Sequence, residues 1–413
     1  MNHPSPAPFL SAPDGPTPSP RQARVGLLAI FGSTFCELVA YFMLTPYLIL
    51  RLNSQGVTTS VAGLFAAIGW VGVFVMTPFA SALTRQLGRR PTLWLAAVVP
   101  VLAISGFVLT PSLPWWFAFN FVAGMASGLR WVLAEAVVAE FAPPVQRGRA
   151  IGFFETMVGM TFVIGPALLA WIGAQNADVM WLALALSAIG LCWSLLIPAL
   201  PTAPDLHDAK VGLSGVWHAL RAHPLTMAIG LVSGFFESGI TSILPLYGVS
   251  LGLAAAAAAL LVSSSGLGSA LTMLPAGLLA DHMAHHPQQR FGDAFAARRL
   301  VMKGCAAATL LATLLIPVVA GIPWLAAPVA FVWGGAGGCL YTMVMIDIGS
   351  REQGITLVNS TAVLVLSYTL GGVLAPAVGA AALQWAPVLG FPALLMGVAG
   401  VGCWLLWRHQ GRA

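Results

Sequence analysis

Five ionisable residues stand deep inside long apolar runs: Glu37, Arg130, Glu135, Glu155 and Glu237. A charge held at the centre of a bilayer costs about 2.5–3.5 kcal/mol on insertion scales, so each group needs a partner, water or a task. Arg130 does not give up its proton and calls for a carboxylate, for which Glu37 is the natural candidate. Such a pair can switch, because protonating Glu37 frees Arg130 to hold an anionic substrate or Glu155. The competing reading is a fixed structural pair. Glu37 shares an i, i+4, i+8 stripe with Ser33 and Tyr41, and Glu237 shares one with Ser233 and Thr241, so each trio lies on one helix face. Glu135 follows Arg130 at a spacing that turns it about 140° round the helix, toward helix two or a cytoplasmic charge cluster. Glu155 stands one turn before Gly159, in a proton path or a gate, while Glu140 and Asp347 fall near helix ends. Asn120, Trp131, Tyr341, Asn359 and Tyr368 are further polar or aromatic groups at depth that could touch a substrate.

The elements that must position these groups follow from composition. The chain has 413 residues, 58% hydrophobic and 8% charged, whereas soluble domains carry about 25% charged residues. Its solvent is therefore largely lipid. A lipid-facing barrel would alternate polar and apolar residues in short strands, but here the apolar runs are continuous and as long as a helix that crosses roughly 30 Å of hydrocarbon. The net charge of +5 is explained by basic loops rather than nucleic acid. Cys36, Cys192, Cys305, Cys339 and Cys403 lie in apolar runs and read as small hydrophobes. His282, His285 and His286 read as a solvated loop rather than a metal site, and no metal is expected. No Gly-rich loop ends in Lys-Ser or Lys-Thr, which argues against an ATP-driven pump.

Twelve helices are predicted, at about 25–50, 57–83, 91–111, 115–141, 150–173, 178–200, 224–248, 253–280, 299–320, 323–347, 354–383 and 386–407. Residues 1–24 read as a disordered tail, 25–200 and 224–408 as two six-helix units, 201–223 as a cytoplasmic linker, and 409–413 as a second tail. The linker carries an amphipathic piece, Val211 to Leu220, suited to the membrane surface. With a cytoplasmic N-terminus, every Lys and Arg except Arg51 and Arg130 falls on the inner side. That asymmetry places both termini in the cytoplasm of a multi-pass protein of the cell (inner) membrane.

The two units repeat one another. Phe35-Cys36-Glu37 matches Phe235-Phe236-Glu237, and Phe121, Val122, Gly124 and Gly128 match Phe331, Val332, Gly334 and Gly338. Pro166 falls on Pro376 at the same offset as the second set. Matches in equivalent helices and in the same order indicate a parallel repeat.

The loop Ser81-Ala-Leu-Thr-Arg-Gln-Leu-Gly88-Arg89-Arg90 resembles the major facilitator superfamily signature Gly-x-Leu-Ala-Asp-Arg-x-Gly-Arg-Arg, with Ser81 replacing the Gly and Arg85 the Asp. The second copy keeps Gly277-Leu-Leu-Ala-Asp281 but delays its basic end to Arg298 and Arg299. Helix five carries Gly159-x5-Gly165-Pro166, similar to the family's antiporter pattern, with Thr161 where a Gly is expected. Gly128-Leu-Arg130-Trp131-Val-Leu-Ala-Glu135 followed by Arg147-Gly148-Arg149, and Glu237 followed by Leu244-Pro245-Leu246-Tyr247-Gly248 and Leu340-Tyr341, resemble the YcaD-like branch.

The resemblance implies an all-α membrane protein of twelve helices in two pseudo-symmetric six-helix bundles. It implies a central cavity lined by helices one, four, seven and ten, across which the Glu37 and Glu237 stripes would face each other. In a partly dry cavity each acid could load a proton on one side and release it on the other. Glu37, Glu237 and Glu155 are thus the proton-coupling candidates and Arg130 their charge partner. Ser33, Tyr41, Asn120, Trp131, Ser233, Thr241, Tyr341 and Asn359 are the candidate cavity residues. Gly88, Arg89, Arg90, Gly277 and Asp281 would form a cytoplasmic latch, and Gly159, Gly165 and Pro166 a helix-five gate. The implied activity is not enzymatic. It is proton-coupled efflux of a small organic or amphipathic compound by alternating access, driven by the proton gradient and needing no cofactor. The expected partners are that compound, protons and the bilayer, with no nucleic acid and a monomeric chain. Alternatives are proton-coupled import of an organic acid or peptide-like solute, a lipid flippase, or a non-transporting receptor.

Overall fold

A computed structural model describes residues 19–57, 59–173, 176–199, 210–251, 255–285, 294–319, 322–386 and 388–408. The side chains of Glu237, Thr241 and Pro166 lie outside the described residues. In chain order the helices are α1 (Pro20–Ser54), α2 (Thr59–Met76), α3 (Ala80–Leu87), α4 (Arg89–Leu109), α5 (Leu113–Phe141), α6 (Arg147–Ile172) and α7 (Asp178–Leu195). After the linker come α8 (Gly212–Ala222), α9 (Pro224–Ser250), α10 (Ala255–His285), α11 (Ala294–Val319), α12 (Pro323–Arg351), α13 (Gly354–Trp385) and α14 (Gly390–Arg408). No strand occurs among the described residues. Continuous apolar sequence takes this form because a helix bonds its own backbone where lipid offers no partner.

Ten helices among the described residues are long and apolar enough to cross a membrane, and α9 adds the shorter apolar stretch Pro224–Phe236. Proline opens α1, α9 and α12, where its missing N–H would have had no acceptor. The span expected at 57–83 is broken. Pro78 removes a backbone donor, α2 stops at Met76, a 3-10 turn covers Thr77–Phe79, and α3 continues to Leu87. The loop expected to begin at 281 starts later, because α10 runs on to His285 and takes His282 into the helix. The amphipathic piece expected in the linker is α8, whose Leu213 and Trp217 are exposed while Gly215 and Ala219 are buried.

α1 packs on α5, α6 and α7, and α9 packs equivalently on α12, α13 and α14. The halves meet chiefly along α6–α10, with further contacts of α12 and α13 on α5 and of α13 on α3. Buried apolar residues divide the same way. One cluster unites both halves at the end holding Arg89, Arg147 and Arg351, and includes Leu133 and Val137 of α5 with Met343 and Val344 of α12. Toward the opposite end each half has its own core, around Tyr47, Phe107 and Trp116 in the first and around Phe236, Trp333 and Phe391 in the second. The halves thus share a core at the Arg-rich end and hold separate ones at the other.

Candidate functional site

The structure brings Glu37 and Arg130 together. Both are buried, and Arg130 Nε lies 2.7 Å from Glu37 Oε2. The carboxylate stands off the N–H axis, so the contact is an ion pair rather than a directed hydrogen bond. The other two guanidinium nitrogens reach Ser194 Oγ on α7 at 3.4 and 3.5 Å. α7 approaches closely because Gly190 faces the backbone of Ser33 and Glu37.

Glu37, Tyr41 and Asn120 line one cavity with Thr45, Ser127 and Ser187. Its walls are α1, α4, α5 and α7, so it lies inside the first half rather than between the halves. Asn120 also donates from Nδ2 to the Phe65 carbonyl at 2.6 Å.

Five other candidate cavity residues lie elsewhere. Ser33 is fully buried, and its hydroxyl donates to the Ile30 carbonyl at 3.1 Å. Ser233 is likewise buried and donates to the Gly337 carbonyl of α12 at 2.9 Å. Asn359 sits at the linker, where its Nδ2 donates to the Lys210 carbonyl at 2.8 Å and its side chain packs on Gly215 of α8. Trp131 and Tyr341 occupy the seam between the halves. There the Trp131 indole N–H and the Tyr341 hydroxyl both donate to Glu135 Oε1 at 2.5 Å. The Tyr368 ring stands edge-on to both, with centroids 5.8 and 5.0 Å away. The expectation that Glu135 faces helix two or the charge cluster is corrected: it faces α12. Glu155 of α6 is buried near the same group and acts electrostatically on Tyr341.

The latch residues also separate into roles. Gly88 joins α3 to α4 at φ +84°, a backbone region open to glycine. Arg89 pairs with Glu140 at the end of α5. The other Glu140 oxygen accepts the Gly354 N–H at 2.8 Å, capping α13 from the opposite half. Arg90 turns away to α7, stacking over Trp94 at 4.8 Å. In the second copy, Asp281 accepts the backbone N–H groups of Gly148 at 3.1 Å and Arg149 at 2.8 Å, capping α6 across the seam. Negative charge is favoured at a helix N-terminus, where unpaired N–H groups and the helix dipole converge.

Each half therefore caps a helix of the other. The Asp missing from the first loop is replaced in this task by Glu140, a residue set apart from that loop in sequence. Gly277 and Gly148 let α10 and α6 touch backbone to backbone, where a Cβ on Gly277 would collide with the Gly148 carbonyl. Gly159 of the helix-five gate packs on Ala270 of α10, whereas Gly165 packs on Phe42 and Met43 of α1.

Comparison with known proteins accounts for this arrangement. The family model of the Major Facilitator Superfamily matches residues 30–351. An uncharacterised MFS-type transporter of Yersinia pestis (strain Pestoides F) is 27% identical over 336 residues, covering 79% of this chain and 81% of that one. The uncharacterised MFS-type transporter YcaD of Escherichia coli is 24% identical over 352 residues, covering 84% and 86%. Among solved structures, the Escherichia coli fucose:proton symporter FucP superposes with a TM-score of 0.74 at 15% identity, over 95% of this chain and 100% of that one. The family match, the apolar helices and the repeated halves agree: this chain is a multi-pass membrane protein that belongs to the Major Facilitator Superfamily, and it is a transporter.

Proposed function

We propose that this chain is a proton-coupled antiporter that expels a small organic or amphipathic compound by alternating access. The observation that carries the reading is the buried Glu37–Arg130 pair, whose acid lines a largely apolar cavity inside the first half. A carboxylate held by an arginine has two states: paired and charged, or protonated with the arginine released to Ser194 and to water entering the cavity. A proton arriving through the cavity toggles between them and changes how α1, α5 and α7 hold one another. Glu237 and Glu155 are the further candidates for the proton path. The Gly159 and Gly165 spacing favours antiport. The import reading, in which Arg130 binds a substrate carboxylate, is disfavoured because Arg130 is enclosed in the first half by Glu37 and Ser194.

The protein spans the inner membrane twelve times as a monomer of two six-helix bundles. Its Arg-rich end and both termini face the cytoplasm. With that end cytoplasmic, the shared core there supports an outward-facing reading, and FucP has also been solved in an outward conformation.

The test is compound-evoked proton flux into proteoliposomes, read by an internal pH dye across a panel of lipophilic cations and organic acids. The wild type is expected to respond to a lipophilic cation. Glu37→Gln keeps the size and hydrogen bonding of the protonated acid but cannot release the proton. It should lose uphill accumulation and keep substrate exchange. Full uphill transport by Glu37→Gln with wild-type pH dependence overturns the assignment.

A further inference from the structure

The acid that the sequence places least well, Glu135, sits at the point where the halves close. It is 2% exposed. Its Oε1 accepts from Trp131 and Tyr341, while Oε2 is buried with no hydrogen-bond partner. None of the ion pairs among the described residues includes it. A carboxylate there would bury a full charge against two neutral donors and no cation. A proton on Oε2 removes that charge and leaves a single unpaired O–H, which costs far less.

The groups facing Glu135 from its neighbours sharpen the contrast. Tyr341 of α12 bonds it, Tyr368 of α13 backs Tyr341, and Glu155 of α6 adds a second acid rather than a cation. From α1 and its own helix, Glu37 and Arg130 are engaged with each other. Glu140 is engaged with Arg89 of α4, and Arg90 of α4 lies over Trp94. Arg147 of α6 donates to the Ala139 carbonyl, Arg149 of α6 is exposed, and Asp347 and Arg351 of α12 pair together. α2 holds no titratable residue, and Arg85 of α3 is exposed.

We propose that Glu135, Trp131 and Tyr341 form a proton-held latch that shuts the Arg-rich end and makes its opening depend on the pH of that side. When the halves part, Tyr341 leaves with α12 and water of the opened vestibule reaches Glu135. The O–H bond breaks, the proton passes to water as hydronium, and the carboxylate is solvated. Closing reverses the step: hydronium returns its proton to the carboxylate before the seam dries. Because the closed form binds the extra proton, acidification of that side favours closure and alkalinisation favours opening. This latch is separate from Glu37 and needs no substrate. It rests on alternating access as proposed above but not on the coupling role of Glu37.

The test places spin labels at Gln86 of α3 and Gln353 before α13, both exposed and on opposite halves, in the full chain with its five native cysteines replaced. In wild type the distance distribution should pass from short to long as pH rises. Glu135→Gln keeps an acceptor for Trp131 and Tyr341 but cannot titrate, so in a Glu37→Gln background, which removes any contribution of Glu37, its distribution should no longer change with pH. Tyr341→Phe removes one donor from the carboxylate and should move the midpoint while keeping the transition. It also serves as the second variant if Glu135→Gln fails to fold. A wild-type distribution insensitive to pH, a Glu135→Gln transition in that background like that of wild type, or an unmoved midpoint in Tyr341→Phe each overturns the latch. Glu37→Gln should keep the transition. Uphill transport by Glu37→Gln, in contrast, defeats only the coupling assignment and leaves the latch standing.

Discussion

Replacing Arg130 by Ala is the sharpest perturbation of the first half. The two side chains of the Glu37–Arg130 pair are 8% and 4% exposed and 2.7 Å apart, so removing the guanidinium leaves Glu37 without its cation, to be buried as a bare charge or to take up a proton at a cost. Breaking a buried pair in this way costs about 3–5 kcal/mol. A loss of that size should register as a clear fall in Tm. The assay is thermal unfolding of the purified protein in detergent at pH 7. The double variant Arg130→Ala with Glu37→Gln removes the stranded charge and should recover at least half of the loss. Glu37→Gln alone should also destabilise, because Arg130 then keeps only the long contacts to Ser194. The cycle must therefore be strongly non-additive. A Tm unchanged by Arg130→Ala, or single losses that simply add in the double variant, refutes the pairing.

Other expectations follow from the seam and the linker. Asp281→Asn and Glu140→Gln each weaken a cap that crosses between the halves, worth about 1 kcal/mol, so the population open at the Arg-rich end should rise roughly fivefold in spin-label distances; unchanged distributions in both would show that the caps do not hold the closed state. Gly277→Val forces α10 away from the Gly148 carbonyl and should bar closure of that end, which cysteine labelling of the vestibule would register as permanent access. Asn359→Ala removes a hydrogen bond to the Lys210 carbonyl, worth about 1 kcal/mol of stability, and should leave the apparent substrate affinity unchanged; a large change in affinity would return Asn359 to the substrate path. A reporter fused after Arg412 should be active only on the cytoplasmic side.

Much of the architecture was legible in the sequence, because a bilayer leaves a chain few choices. Uninterrupted apolar runs must become helices that bond their own backbone, and the family's fold follows from their order and repetition. The Glu37–Arg130 contact was legible for a similar reason: a buried arginine needs an acid, and few are available at that depth. The break at Pro78 was legible in principle, from the missing N–H. What the sequence could not decide was which helix stands opposite each face. The 140° turn from Arg130 to Glu135 gives a direction on α5 but does not say that Tyr341 of α12 waits there. Spacing put Asn359 at depth, yet only the path of the linker brings Lys210 to it. The first loop carries Arg85 where the signature has an Asp, and only the packing of α5 against α13 lets Glu140 supply the missing charge. Local sequence sets a helix and its stripes through short-range bonds. The partners of a buried charge are set by how whole helices pack, through contacts between residues far apart in the chain.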